Sequence, residues 1–179
     1  MKINLKLKDD QYEYTYIDHT RHIARAVLIN DKNEVCLLKL LGDDDFGHRD
    51  YVETPGGGIN INEHVLDAVI REVKEETGCD CKLIDNIGIV DDYYNLIHRH
   101  NINYYFLLKV TGYGKTSLEE KEKEIIKEVI WVDFKTAINL YENMNKEKLE
   151  ILVSRRELPI IKKAYDMLLD GEYYGKSTR

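Results

Sequence analysis

Residues 57–79 read GGININEHVLDAVIREVKEETGC. Within this stretch Glu72, Glu75 and Glu76 have the spacing that places side chains on one face of a helix. An adjoining face is apolar and can pack on a core; it is formed by Val65, Leu66, Val69, Ile70 and Val73. The stretch therefore predicts an amphipathic helix that carries a dense group of carboxylates.

The sequence also marks where this helix begins and ends. Asn62 is a favourable N-cap, and Gly78 can adopt the left-handed conformation that ends a helix. Before the cap, the Pro-Gly-Gly-Gly turn at 55–58 can bring backbone close to a ligand. Arg71 lies four residues before Glu75 and can brace that carboxylate by a hydrogen bond.

Carboxylates at this spacing repel one another by roughly 0.2–0.5 kcal/mol per pair, so a counter-ion is expected. Mg²⁺ or Mn²⁺ suits the group, because these ions take oxygen ligands and bridge to phosphates.

The pattern resembles the Nudix hydrolase signature, G-x5-E-x7-R-E-U-x-E-E-x-G-U, where U is a bulky aliphatic residue. The matching residues are Gly57, Glu63, Arg71, Glu72, Val73, Glu75, Glu76 and Gly78. Only the last position departs, with Cys79, which is small and apolar when buried.

The resemblance implies an α/β fold, the Nudix α/β/α sandwich with a mixed β-sheet and a loop–helix–loop unit. It also implies a MutT-like pyrophosphatase that uses Mg²⁺ or Mn²⁺ to hydrolyse a nucleoside diphosphate linked to another moiety. The implied metal ligands are Glu72, Glu75, Glu76 and the backbone carbonyl of Gly57. Glu72 and Glu75 are also expected to act in catalysis, with Arg71 orienting a glutamate.

Other residues are assigned by the same resemblance or by their chemistry. Glu63 and Gly78 are expected to be structural. The expected substrate-binding residues are Glu53, Gly56, Gly57, Tyr93 and His98. Glu53 matches a glutamate that many family members carry before Pro-Gly-Gly. Tyr93 can stack on a base and His98 can contact phosphate. The alternative is that Tyr93 packs against a neighbouring strand and that His98 is an ordinary exposed histidine.

Composition narrows the class of protein. The chain has 179 residues, 43% of them hydrophobic, which fits one domain over 1–179. No apolar run approaches about 18 residues, and the N-terminus is unlike a signal peptide. Three cysteines without a pairing framework indicate reduced thiols in a cytoplasm. A net charge of −7 disfavours extended nucleic acid as a partner and leaves a small nucleotide substrate; a homodimer is left open.

Periodicity and turn residues predict the remaining elements. The predicted strands are 11–17, 22–29, 35–41, 81–90, 103–110 and 128–133, with 22–29 and 35–41 forming a hairpin. The predicted helices after the signature are 134–144 and 158–169. Polar loops are expected at 42–50, at 91–95 and at 98–100.

A second group of carboxylates precedes the predicted strand at 128–133. Residues 118–124 read LEEKEKE, where related enzymes often keep a late metal ligand or base. We expect Glu120 and Glu124 to reach the site, because residues four apart share a helical face. The alternative is a solvated helix start with pairing between neighbouring charges.

Two other functions are compatible with parts of the pattern. A nucleotide-binding sensor with weak catalysis would lack a signature glutamate or carry a DNA-binding module, and neither is seen. A basic groove would favour an RNA 5′-end pyrophosphohydrolase, which removes a diphosphate or a cap, and the net charge argues against it. The sequence does not choose among ADP-ribose-like compounds, modified nucleoside triphosphates, dinucleoside polyphosphates and nucleotide sugars.

Overall fold

The computed structural model describes residues 1–171. Its strands are β1 (Ile3–Lys6), β2 (His19–Ile29), β3 (Val35–Asp44), β4 (Gly47–Glu53), β5 (Gly56–Gly58), β6 (Cys79–Tyr94), β7 (Arg99–Tyr113) and β8 (Ile126–Val132). Its helices are α1 (Val65–Thr77), α2 (Glu120–Ile125), α3 (Phe134–Glu142) and α4 (Lys148–Leu169). A 3₁₀ turn at Asn95–Ile97 joins β6 to β7.

The strands form one mixed sheet with β2 near its centre. Strand β2 runs parallel to β7 along its whole length, starting with His19 opposite Arg99. On its other side β2 pairs with β3 only at Ile29 and Val35, and the two strands then diverge. Strand β5 pairs with β2 beyond that point. The complete order is β1-β6-β7-β2-β3-β4, with β5 added to β2 and β8 added to β3.

Helices cover both faces of this sheet. Ala24, Ala26 and Leu28 point to the face covered by α1, whereas Val27 and Ile29 point to the face covered by α3 and α4. All five side chains are buried, as expected for a strand with apolar layers on both sides. One helical layer on each face confirms the predicted α/β/α sandwich. Cys79, the residue that departs from the signature, is buried in the α1 layer.

The predicted strand at 11–17 is wrong, because the N-terminal strand is β1, which pairs in parallel with β6. Tyr14 and Tyr16 are 66% and 54% exposed, so their alternation reflects no buried face. The Asp9 carboxylate accepts hydrogen bonds from two backbone N–H groups that follow it. These bonds turn the chain where the alternating pattern begins.

The predicted loops at 42–50 and 91–100 are also largely wrong. Strand β3 continues into a tight turn and returns as β4, while β6 and β7 reach almost to the 3₁₀ turn between them. Polar side chains suggested loops, yet they are paired with each other; for example, Nη2 of Arg49 lies 2.7 Å from Oδ2 of Asp44. Such pairs satisfy polar groups within a sheet.

Helix α4 is longer than the sequence indicated, since it begins at Lys148 and not at Leu158. Pro159 lies inside it and removes one backbone hydrogen bond of the helix. The adjacent Ile160 and Ile161 are fully buried, so packing against the sheet compensates for that loss. Over residues 1–171, no helix is both long and apolar enough to cross a membrane.

Candidate active site

Helix α1 is the signature helix, and its two ends are fixed by local interactions. The expected N-cap, Asn62, lies in the preceding turn with φ of +64°. The actual N-cap is His64, whose Nδ1 accepts a hydrogen bond from the Leu66 N–H at 3.4 Å. Gly78 ends the helix with φ of +73°, and a Cβ at this position would lie 2.4 Å from the Gly114 carbonyl oxygen. Glycine is therefore required by both conformation and space.

The glycine strand β5 lies directly on the carboxylates of α1. A Cβ on Gly57 would come within 2.5 Å of the Glu72 carboxylate. Gly56 has φ of +149°, and a Cβ there would lie 2.3 Å from the Ala24 carbonyl oxygen. The Gly56 N–H donates to Glu76 at 2.8 Å. The absence of side chains thus lets the backbone approach the acidic groups.

Arg71 holds the signature carboxylates in place. It donates to both Glu63 oxygens, at 2.7 and 2.9 Å, and to Glu72 at 2.7 Å. It also reaches Glu75 at 3.0 Å and the Gly58 carbonyl at 3.0 Å. The hydrogen bond from Arg71 is the main cause that lowers the Glu63 pKa to about 2. Arg71 therefore hydrogen-bonds three of the signature glutamates, and through Glu63 it ties the loop to the helix.

Three carboxylates from two helices converge beside β5, and we call Glu72, Glu76 and Glu122 the acidic cluster. One ligand oxygen of each lies within 4.8 Å of the others. Glu72 and Glu76 are buried, and burial raises the pKa of Glu72 and raises that of Glu76 well above its usual value. A divalent cation bound there would favour the charged form of the carboxylates, which burial disfavours. Clustered carboxylate oxygens fit Mg²⁺ or Mn²⁺.

The carboxylate that α2 contributes is Glu122, not the expected Glu120 or Glu124. Glu120 has a 89% exposed side chain and pairs with Lys123 at 2.5 Å, and Glu124 is exposed. The prediction assumed that residues four apart would face the site together. In the structure α2 begins at Glu120, and that start turns Glu122 inward.

The other predicted ligands lie around the acidic cluster. Glu75 is outside the group of three, with a side chain 36% exposed and bound to Arg71. Gly56 and Gly57 line the cleft next to the cluster. Metal binding by Glu75 and by the Gly57 carbonyl stays a prediction.

A cleft of about 310 Å³ opens between β2 and the β3–β4 hairpin, where the two parts of the sheet diverge. Glu76 and Glu122 lie in its wall. The cationic residues of the wall are Arg21, Arg25, Arg49, Arg99, Lys121 and Arg156. A concave cationic surface beside a carboxylate group can bind phosphate groups that also contact a metal.

Glu53 lines this cleft, but its carboxylate is already held by buried arginines. Nη2 of Arg25 lies 2.7 Å from Glu53, and Arg156 forms a second ion pair with the same oxygen. Burial raises the pKa of Glu53, but these guanidinium groups outweigh it and lower the pKa to about 2. Glu53 therefore shapes the cleft as an anion among cations.

The same network joins α4 to the glycine turn. Glu157 accepts hydrogen bonds from the hydroxyls of Thr54 at 2.6 Å and Tyr105 at 2.7 Å. Nε of Arg156 lies 2.9 Å from Glu157 as well. Glu157 and Arg156 are almost fully buried, so each charge depends on its partners.

Glu53→Gln should therefore lower the free energy of unfolding by about 3 kcal/mol near neutral pH, because it leaves buried guanidinium charges without their anion. Urea denaturation measures the change, with the exposed Glu128→Gln as a control that should stay within about 0.5 kcal/mol of wild type.

The destabilisation should also depend on pH. The folded-state pKa of Glu53 is lowered from 4.5 to about 2, so its contribution is present above about pH 4.5 and is lost as pH falls towards about 2. The stability difference between wild type and Glu53→Gln should shrink over that window. A difference that stays constant over it would contradict the ion-pair assignment.

Tyr93 and His98 do not line the cleft. Tyr93 stacks on His100 with ring centroids 4.6 Å apart. His98 stacks on Tyr16 at 4.1 Å. The aromatic residue that reaches the cleft from this region is Tyr94, on the opposite face of β6 from Tyr93 because side chains alternate along a strand.

Several site residues were not identified from the sequence. Arg25, Arg99 and Arg156 are buried, although Arg99 and Arg156 stand in charged or mixed stretches that look solvated. Arg25 does interrupt the apolar run 23–29, and a charge at a core position is the available signal.

Comparison with known proteins places this fold and site in a family. A model of the NUDIX domain matches residues 19–153, and the chain belongs to the Nudix family. It is 29% identical over 119 residues to the 8-oxo-dGDP phosphatase of Danio rerio, covering 66% of this chain and 34% of the relative. It is 32% identical over 105 residues to the ADP-ribose pyrophosphatase of Methanocaldococcus jannaschii, covering 58% of this chain and 60% of the relative. The match thus spans less than two thirds of either relative's length.

Solved structures agree on the fold. A Nudix hydrolase from Nitrosomonas europaea superposes with a TM-score of 0.63 at 17% identity, covering 83% of this chain and 90% of that chain. The MutT protein of Methanosarcina mazei Go1 gives a TM-score of 0.60 at 23% identity, covering 83% and 95% respectively.

Proposed function

We propose that the chain is a Mg²⁺-dependent pyrophosphohydrolase that cleaves a phosphoanhydride bond in a nucleoside diphosphate linked to another moiety. The observation that supports it is the meeting of Glu72, Glu76 and Glu122 at the wall of a cationic cleft. Carboxylates supply metal ligands, and arginines supply contacts for phosphate oxygens. The two kinds of group stand side by side, as hydrolysis of a diphosphate requires.

The reaction needs phosphoryl charge to be neutralised and a water to be delivered in line. Glu72, Glu76 and Glu122 would hold a divalent cation, which would supply a Lewis acid and lower the pKa of a bound water. Arg71 fixes Glu72 and Glu75 by hydrogen bonds. Of these two signature glutamates, Glu72 lies in the cluster and Glu75 outside it, and we assign to one of them the role of accepting the proton of the attacking water. The water oxygen bonds to phosphorus as the anhydride P–O bond breaks, giving a nucleoside monophosphate and the phosphorylated second moiety.

A substrate panel with and without metal tests this function. Phosphate release, coupled to a phosphatase, is measured for nucleoside triphosphates, nucleotide sugars, ADP-ribose and dinucleoside polyphosphates. Activity should disappear with EDTA and return with Mg²⁺ or Mn²⁺. In H₂¹⁸O the label should enter a phosphate product; label only in the sugar or base fragment would show cleavage at carbon and exclude the proposal.

Metal binding should also be visible without catalysis. Mg²⁺ at about 100 times its Kd should raise the free energy of unfolding by about 2.7 kcal/mol, because it binds the folded acidic cluster. Thermal denaturation across a Mg²⁺ series measures the effect. Glu72→Gln should lose most of it and Glu128→Gln should retain it. Equal stabilisation of both variants would place the cation elsewhere.

A further inference from the structure

Arg99 is a buried cation in the cleft without an anionic partner. Arg99 is only 7% exposed, and its Nε has no hydrogen-bond partner. Among residues 1–171, no carboxylate lies within 4.0 Å of its guanidinium, which instead faces the rings of Phe46 at 4.7 Å and Tyr94 at 5.9 Å. Burial, and then the nearby charge of Arg21, lowers the pKa of Arg99 to about 10. Buried arginines are usually paired, so this one is placed to receive an anion.

Arg21 is the second cation at this point of the cleft. Strands β2 and β7 run in parallel with His19 opposite Arg99, so Arg21 lies two residues further along β2 and on the same face. Its guanidinium covers Gly58, where a Cβ would lie 2.7 Å from Nη2. Within the described chain, Arg21 forms neither an ion pair nor a hydrogen bond through its side chain.

The other arginines of the cleft are already neutralised. Arg25 and Arg156 share Glu53, and Arg49 lies 2.7 Å from Asp44. Arg49 also stacks on Phe46, at 4.6 Å, on a ring that Arg99 contacts as well. Arg21 and Arg99 are thus the two arginines of this wall whose charges no residue of 1–171 compensates.

The pair lines the same cleft as two members of the acidic cluster. Arg21, Arg99, Glu76 and Glu122 all lie in its wall. A ligand in the cleft can therefore place one phosphoryl group at the carboxylates and another at the two arginines. Guanidinium groups bind phosphate through paired N–H donors, which is stronger than a contact to an uncharged group.

We propose that Arg21 and Arg99 bind the free terminal phosphate of the substrate, so that the moiety linked to the nucleoside diphosphate is itself phosphate. This rests on the proposed function and narrows its substrate class to nucleoside triphosphates. Two uncompensated charges match a terminal phosphate, which carries up to two negative charges. A neutral sugar at the same place would leave the buried guanidinium of Arg99 without an anion.

Binding without metal tests the inference, with ATP and ADP-glucose as probes. Both carry ADP, linked to phosphate in one and to a neutral hexose in the other. Isothermal titration calorimetry in EDTA should give a Kd for ATP at least about tenfold lower than for ADP-glucose. Arg21→Gln should weaken ATP binding about tenfold or more, the size expected for lost hydrogen bonds to a charged group, and should change ADP-glucose binding less than about twofold.

The control is Arg155→Gln, which removes the same charge from an exposed arginine on α4 that pairs with Asp10. It should leave both affinities unchanged. Arg21 is exposed, so its replacement opens no core cavity. Arg99→Gln should also weaken ATP binding, and circular dichroism checks that this variant is folded.

Equal affinity for the two probes, or equal loss of both in Arg21→Gln, would overturn the terminal-phosphate inference. If Arg155→Gln lost as much ATP affinity as Arg21→Gln, the weaker binding would be due to net charge alone, and the inference would be overturned as well. Because the titration contains no metal and involves no hydrolysis, a catalytically inactive protein can still pass it. An active enzyme that fails it loses only this inference.

Discussion

Glu76→Gln should lower kcat by at least about 100-fold while the protein remains folded. Glu76 is buried among the oxygens of the acidic cluster, and Gln keeps its size but removes the ligand charge. Loss of one electrostatic contact in a preorganised site costs about 10²–10³ in rate. Steady-state kinetics at saturating Mg²⁺ on the best substrate of the panel measure the effect.

Folding of this variant is expected to be normal for a specific reason. Burial raises the Glu76 pKa well above its usual value because it disfavours the charged form, and Gln places a neutral group of the same size there. Gln also retains an oxygen that can accept the 2.8 Å hydrogen bond from the Gly56 N–H. In EDTA the variant should unfold at the wild-type temperature or slightly above it. Retention of wild-type kcat would remove Glu76 from the metal site.

Glu122→Gln should lower kcat by about 100-fold, which is also the usual size of a general acid–base contribution. Glu122 is the α2 carboxylate in the acidic cluster. It also accepts a hydrogen bond from the Glu119 N–H at 2.8 Å, and Gln can replace Glu in this capping interaction. The change therefore alters the charge at the cluster and leaves the start of α2 intact.

Matched controls stand on the same short helix. Glu120→Gln and Glu124→Gln remove the same charge within two positions of Glu122, but both side chains face solvent. They should keep near-normal kcat and change stability by no more than about 0.5 kcal/mol. If all three variants keep normal rates, α2 is only a solvated segment and the site contains the α1 carboxylates alone.

The fold could be predicted because the motif at 57–79 resembles the Nudix signature, and that resemblance implies the α/β/α sandwich. The spacing of Glu72, Glu75 and Glu76 and the stop at Gly78 define α1, and the apolar runs around it fit a sheet between helices. Strand ends were less predictable, since polar residues such as Asp44 and Arg49 suggest a loop when viewed singly. Their mutual pairing appears only when the strands are aligned.

The site was predictable where its residues are neighbours in the chain. The glutamates of α1 and their brace Arg71 follow from helical periodicity. Glu122 was missed because the first residue of α2 determines which side chains face the site. A run of charged residues does not show where the helix begins. Arg21 and Arg99 could not be associated, since only the parallel register of β2 and β7 brings them to one wall.

The buried link between the glycine turn and α4 has a consequence for how the protein folds during synthesis. Thr54 and Glu157 are 103 residues apart, so their contact closes a long loop, a slow and entropically costly step. Until α4 docks, Arg25 and Glu53 lack one of their partners and the wall of the cleft is incomplete. During translation, the cleft should therefore be completed late, only after the residues of α4 have left the ribosomal exit tunnel. A nascent chain arrested before them would carry the whole signature and still lack a finished cleft.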